Sequence, residues 1–140
     1  LVVNVGLQYL AGCGLTSTTQ ITTWYLGLYG SGSTNNPAAG DTLALHTGWT
    51  EINPYTGNRP AATFTAATNA NPSVVTNSAS KAQYTITSAG PTTVGGAFLC
   101  SAASGTSGTL FSAADFSSPG DRVVYAGDIL NVSYSFSLSA

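Results

Sequence analysis

From Leu130 to Ser139 the chain alternates without a break: Leu130, Val132, Tyr134, Phe136 and Leu138 are separated by Asn131, Ser133, Ser135, Ser137 and Ser139. Successive side chains of a strand point to opposite faces, so this segment reads as one antiparallel strand with an apolar face and a small polar face. Burying five such side chains contributes roughly 8 to 15 kcal/mol of gross transfer energy, at about 1.5 to 3 each, which marks a principal core strand. Whatever else forms must supply a sheet and a layer to cover that face.

The rest of the chain supplies candidates. Thr22 to Tyr29 is rich in β-branched and aromatic residues, ends at Gly30 and reads as a strand buried on both sides. Residues 30 to 40 form a glycine- and serine-rich connection, in which Ser31 lacks the strand-to-helix context of a nucleophile elbow. Ala61 to Ala67 alternates apolar and hydroxyl residues around Phe64. Pro72 to Thr76 and Ala82 to Ile86 read as strands around a turn at Asn77 to Ser80, with Ala82, Tyr84 and Ile86 on one face. Val94 to Cys100 is an apolar strand in which Gly95-Gly96 permits a bulge or a close backbone approach. Residues 101 to 109 make a polar loop without the lysine and helix of a phosphate cradle. Leu110 to Phe116 is a short strand or an irregular edge, Pro119-Gly120 a turn, Arg122 to Tyr125 a strand, and Ala126 to Asp128 another turn. At the other end, Val2 to Ala11 places Val3, Leu7, Leu10 and Ala11 on one helical face, with Gly12 and Gly14 as stop signals. The sum is an all-β fold: one antiparallel β-sandwich domain over residues 1 to 140, jelly-roll or Ig-like, with a short N-terminal helix.

The chemistry-bearing residues concentrate between Ala39 and Pro60, which holds Trp49, the sole histidine His46, the sole glutamate Glu51, Tyr55 and Arg59. Asp41 is a helix-start residue, predicting a helical turn near 41 to 46, after which Leu45 and Trp49 lie four apart and can pack together. Asn53-Pro54 and Thr56-Gly57-Asn58 punctuate a loop. Buried polar groups need partners, so Glu51 is expected to pair with Arg59 and His46 to bond a nearby carbonyl, giving a folded-over structural loop. No nucleophile stands beside His46, and the five acids are spread along the chain, so neither a catalytic pair of carboxylates nor a metal-ligand set can be read.

Only 6% of residues are charged, yet 43% are hydrophobic, including seven tyrosines, five phenylalanines and two tryptophans. That is too much core material for a disordered chain, and no apolar run is long enough to span a membrane. A net charge of −2 with three basic residues lacks the footprint of a nucleic-acid binder. A surface so poor in charge suits a protein whose faces are covered by neighbours. Cys13 and Cys100 match no metal spacing; they read as buried small residues or as one disulfide. No cofactor is indicated.

Several stretches together resemble a family of small virion structural proteins of tailed bacteriophages. They are NVGLQYLA (4 to 11), TTWYLGLY (22 to 29), the Asp-Thr-Leu…His-x-Gly-Trp-Thr-Glu…Tyr…Asn-Arg-Pro run (41 to 60), GGAFL and the C-terminal GDRVVYAGDILNVSYSFSLSA. The likeness covers nearly the whole chain, and the 41 to 60 run is its most specific part. It implies a chain that begins upstream of Leu1, is made in the bacterial host cytoplasm and resides on the capsid exterior. Its partners would be the major capsid protein and further copies of itself, as a homotrimer, with no nucleic acid and no membrane. The implied role is a capsid cement or decoration protein, with a tail or fibre component carrying a carbohydrate-binding receptor module as the alternative. Trp24, Tyr25, His46, Trp49, Glu51, Tyr55, Arg59 and Tyr134 are the structural or interface candidates, with the Trp24/Tyr25 strand and the 49 to 59 loop facing partners or the core.

Overall fold

The computed structural model describes residues 1 to 31, 36 to 117 and 120 to 140. Most of the regular structure is strand in antiparallel sheets, with one short N-terminal helix, an all-β fold. The order is α1 (Asn4–Leu15), β1 (Trp24–Gly30), β2 (Glu51–Ile52), β3 (Ala61–Ala62), β4 (Ser73–Thr76), β5 (Ala82–Thr85), β6 (Thr92–Cys100), β7 (Leu110–Asp115), β8 (Arg122–Val124), β9 (Ile129–Val132) and β10 (Ser135–Leu138). The main sheet runs β2-β1-β6-β7, with β3 sharing the β2 side of β1 and β8 sharing the β7 side of β6. Two further pairs, β10-β4 and β5-β9, stand apart from it.

β1 and β6 lie at the centre because their residues are apolar on both faces. Leu26 and Leu28 join one buried cluster with Tyr84, Ile86, Leu99, Phe111 and Val132. The intervening Tyr29 joins a second, with Val3, Leu43, Trp49, Phe98 and Leu110. The first is closed by side chains from the two small sheets, the second by the segment around Leu43 and Trp49. The expected face of Ala82, Tyr84 and Ile86 is buried, with Gln83 and Thr85 exposed between them. At Gly95-Gly96 both readings apply: the register with β1 shifts here, and a Cβ on Gly95 would lie 2.3 Å from the Gly30 carbonyl oxygen. Leu110–Asp115 is a strand with its first four residues buried, and its register with β6 shifts at Phe111, so a strand and a local irregularity are both present.

Four expectations are corrected. First, the glycines do not stop α1: it runs through Gly12 and Gly14 to Leu15, and its buried residues are Gly6 and Gly12, while Leu7 and Ala11 are exposed. The helix sits so close to β7 that only a glycine fits; a Cβ on Gly6 would come within 2.2 Å of the Phe111 carbonyl oxygen. Of the expected core face, Val3 is buried and Leu10 packs half-buried on the core, while Leu7 and Ala11 are turned outward. Second, no helical turn forms at 41 to 46. The Asp41 carboxylate accepts, on Oδ2, from the N–H of Ala38 behind it and from the Trp49 indole ahead, and not from an N–H of the residues that follow it. Leu43, at 1% exposure, packs beside Trp49, and Leu45 is exposed at 69%.

Third, the C-terminal alternation is divided between two strands in different sheets. Asn77, fully buried, accepts the Tyr134 N–H at 2.6 Å and donates from Nδ2 to the Val132 carbonyl at 3.3 Å, so its amide occupies the chain between β9 and β10. The inward set persists through Leu130, Val132, Tyr134 and Phe136, but Leu138 is 52% exposed. Fourth, β3 covers only two residues of the 61 to 67 stretch; beyond it the chain leaves the main sheet and bonds to β4 through Thr65 and Thr68. The 30 to 40 connection in part, and Pro119 of the Pro119-Gly120 turn, lie outside the described residues.

Candidate functional site

The motif segment builds two buried polar centres. In the first, Arg59 is 5% exposed and uses its whole guanidinium. Nε and Nη2 donate to the two oxygens of Glu51 at 2.7 and 2.6 Å, a bidentate pair. Nη1 donates to the Ala102 carbonyl and Nη2 to the Gly105 carbonyl, both at 2.8 Å. Cys100 Sγ lies 3.7 Å from Nη1, and the Phe98 ring centroid lies 5.2 Å from the guanidinium carbon. Glu51 holds the Arg59 pKa above its ordinary value, against the opposing effect of burial. Burial raises the Cys100 thiol pKa. Five N–H donors in a fixed fork have found acceptors, so this arginine ties β2 to the 101 to 109 loop and keeps no donor for a ligand.

The second centre is built on Trp49. Its indole N–H donates to Asp41 Oδ2 at 2.8 Å, and its ring packs against Tyr29 and Phe98 at centroid distances of 5.3 and 5.0 Å. His46 lies flat on the indole, 3.8 Å between centroids and 12° between planes. Its Nδ1 is 3.0 Å from the Trp49 carbonyl oxygen, so Nδ1 carries the proton and donates. Tyr29 donates its hydroxyl to Asp115 at 2.7 Å; burial first, and that carboxylate second, raise its pKa. The structure therefore brings Glu51 to Arg59 and His46 to a carbonyl, and brings Trp49, Tyr55 and Arg59 inside the subunit. Tyr55 stacks edge-on against Tyr84, and burial pushes its pKa up to about 12.

Trp24 and Tyr134 lie elsewhere, on a groove that sequence reasoning missed. A cleft of about 300 Å³ opens between α1, the start of β1 and the β4-β10 pair, lined by six aromatic residues: Tyr9, Trp24, Phe64, Phe111, Tyr134 and Phe136. Tyr9-Trp24, Trp24-Phe111, Phe111-Phe136 and Phe64-Tyr134 make edge-to-face contacts at 5.3 to 5.8 Å. Its hydroxyls are engaged: Tyr9 accepts the Ile21 N–H at 2.6 Å, and Tyr134 shares a hydrogen bond with Ser112 at 2.7 Å. Burial raises the Tyr134 pKa, with the Ser112 contact opposing. Among the described residues that line it, none is charged. Tyr25 is half-buried on the other face of β1, against the cluster of Tyr29 and Phe98.

The arrangement can hold apolar groups and can hold itself together. Among the described residues, no three of His, Cys, Asp and Glu gather as a metal-ligating set, and no helix is long and apolar enough to cross a membrane. Both cysteines are free thiols, Cys13 half-buried beside the groove and Cys100 buried beside Arg59. No protein-family model matches the chain, and no curated protein matches it.

Proposed function

We propose that this chain is a structural protein of a tailed-bacteriophage virion. In this reading it is a capsid cement or decoration protein, a jelly-roll or Ig-like sandwich that binds the assembled major capsid lattice from outside, together with other copies of itself. The observation that carries the reading is the use made of the few polar groups. In the segment most specific to the resemblance, Asp41, His46, Glu51 and Arg59 each fasten another part of the same chain. Large apolar side chains meanwhile stand at the surface, among them Leu7, Leu15, Val123, Tyr125 and Ile129. A subunit with polar groups turned inward and leucines left outside has the makeup of one whose outer faces neighbours cover.

Such a protein acts by mass action. It binds the assembled lattice and not free subunits, so it lowers the free energy of the shell and slows its rupture. That role requires no catalytic residue. The test compares complete particles with particles made without the protein, under heating and in low salt, and then adds the purified protein back. The expected result is earlier rupture of the deficient particles and recovery on addition. Equal resistance of the two preparations would refute the cement role.

The groove supports a second reading, a tail or fibre component that stacks sugars on aromatic rings. Sugar recognition also needs free hydrogen-bonding groups, and the engaged Tyr9 and Tyr134 hydroxyls weigh against it. Copy number per particle separates the two: hundreds for a shell protein, a handful for a tail tip.

A further inference from the structure

The outer edge of β10 borders the aromatic groove, and its backbone polarity follows from hydrogen bonds made one strand away. Thr65 and Thr68 donate their N–H groups to the carbonyls of Thr76 and Val74, at 2.9 and 3.1 Å. Val74 and Thr76 therefore direct their backbone groups away from β10. Backbone direction alternates along an antiparallel strand, so Ser73 and Val75 face β10, and their register partners Leu138 and Phe136 face β4. The Tyr134 carbonyl has the same parity, accepting from Asn77 N–H and Thr76 Oγ1 on the β4 side. Ser135 and Ser137 are left with N–H and C=O pointing outward, and among the described residues no strand pairs with them.

Exposed edges in natural sheets are guarded by charges, prolines, bulges or covering loops. This one has none of the first three: residues 129 to 140 contain no charged residue and no proline, and the β10-β4 register runs without a shift. The side chains on its groove face are Phe136, which packs on Phe111, and Leu138, still 52% exposed.

We infer that this edge is a self-association site, at which the β10 of a second copy adds antiparallel across a two-fold axis and covers the mouth of the groove. The edge is complementary to itself. With Ser137 paired to Ser137 of the other copy, the outward N–H and C=O groups of each strand meet their counterparts. Phe136 then lies opposite Leu138 of the other copy, twice, on the face that lines the groove. No charge lies on either strand, so the two-fold brings no like charges together. A second copy is favoured over an extended peptide of another protein for this reason: the same four residues supply both halves of the match. The inference is independent of the cement reading, and a two-fold pair differs from the trimer that the resemblance implies.

Sedimentation velocity of the full chain over a wide concentration range tests it, with Ser137→Pro and Leu138→Lys alongside. Proline is tolerated where the lost N–H faces outward, so Ser137→Pro keeps the fold, checked by an unchanged circular dichroism spectrum. Leu138→Lys alters an exposed side chain and places two like charges next to the axis. The expected result is a wild-type dimer, with association weakened in both variants so that each dissociates at an at least tenfold higher concentration than the wild type. A wild-type monomer at all concentrations, a trimer, or a dimer unaffected by both variants would overturn the assignment, as would a monomer whose β10 edge is occupied only by another protein's segment.

Discussion

Glycine-to-alanine substitution within a helix ordinarily stabilises it, by about 0.5 to 1 kcal/mol, because the unfolded chain loses freedom and the helix gains a good former. In α1 the same substitution is expected to have opposite signs two turns apart. At Gly14 nothing lies within 4 Å of an added Cβ, and Gly14 is not among the positive-φ glycines. Gly14→Ala should therefore add about 0.5 kcal/mol, at the low end because the site is in the last turn. At Gly6 the added Cβ meets three backbone atoms of Phe111, at 2.2, 2.9 and 2.9 Å, where ordinary contact begins at 3.4 Å.

The Phe111 backbone is held between β6 on one side and Val3 on the other, so an ångström of relief must come chiefly from the helix. The Phe111 carbonyl that the methyl strikes is also the acceptor of the Val3 N–H at 3.1 Å. Displacement costs about 1 to 3 kcal/mol for overpacking, and losing that buried hydrogen bond costs about 1 to 3 more. After the helical gain, Gly6→Ala should lower stability by about 1 to 5 kcal/mol. For a chain of this size each kcal/mol moves Tm by about 2 to 4 °C, so the pair should separate by roughly 3 to 22 °C. Thermal and urea unfolding followed by circular dichroism would measure it. If Gly6→Ala raised Tm as Gly14→Ala does, the close seating of α1 on β7 would be wrong.

Other consequences follow from the buried polar centres. Glu51→Gln leaves the Arg59 charge without its counter-ion; because the Glu51 side chain is 22% exposed, the loss should be about 2 to 3 kcal/mol, below the roughly 3 to 5 of a fully enclosed pair, and a loss under about 0.5 in urea titrations would make the pair a surface one. Tyr134→Asp puts a carboxylate among Phe64, Phe136 and Phe111 and should abolish cooperative unfolding at 25 °C, so an unchanged Tm would refute its placement. Tyr29, Tyr55 and Tyr84 all have pKa values raised above the ordinary 10 by burial. Their contribution is intact below pH 10 and is lost above it, because there the unfolded chain releases protons that the folded chain retains; stability should fall by up to about 1.4 kcal/mol per pH unit for each buried tyrosine, and a flat profile from pH 9 to 12 would contradict their burial.

What could be read from the sequence was local. The alternation after Leu130 correctly sorts inward from outward side chains as far as Phe136, because that depends on the pleat alone. The division between β9 and β10 depends on Asn77, more than 50 residues away, and nothing near Ser133 signals it. Residues eight apart in one loop could be matched by charge, and Glu51 does meet Arg59. The carbonyls of Ala102 and Gly105 that complete the arginine's shell come from a loop whose composition says only that it is polar. The helix was half legible through hydrophobicity: of the expected face Val3 and Leu10 do meet the core, but Leu7 and Ala11 do not, and within the helix Gly6 and Gly12 are the buried positions. The groove was not legible at all, since its six rings come from α1, β1, β7 and β10 and from the connections near Phe64 and Tyr134.

Charge gives the argument its widest reach. Of five acidic residues, Asp41 holds Trp49, Glu51 holds Arg59, Asp115 accepts from Tyr29, and Asp128 accepts the Tyr125 N–H at 2.9 Å. Among the described residues, that leaves Asp121 as the one acid without an internal hydrogen bond, alongside Lys81 and Arg122 among the basic residues. A free-standing globule ordinarily keeps a quarter or more of its surface charged to remain dispersed. Here most of the carboxylates serve as internal fasteners, and the surface is left to serine, threonine, glycine and isolated leucines. An internal bond to a carboxylate could be made as well by a neutral amide with little loss at exposed positions, so replacing Asp128 with Asn should barely change stability. It should, however, lower solubility measurably, because so few outward charges exist to share the work. Unaltered solubility on precipitation by ammonium sulfate would mean that the scarcity of charge is incidental to how these molecules meet.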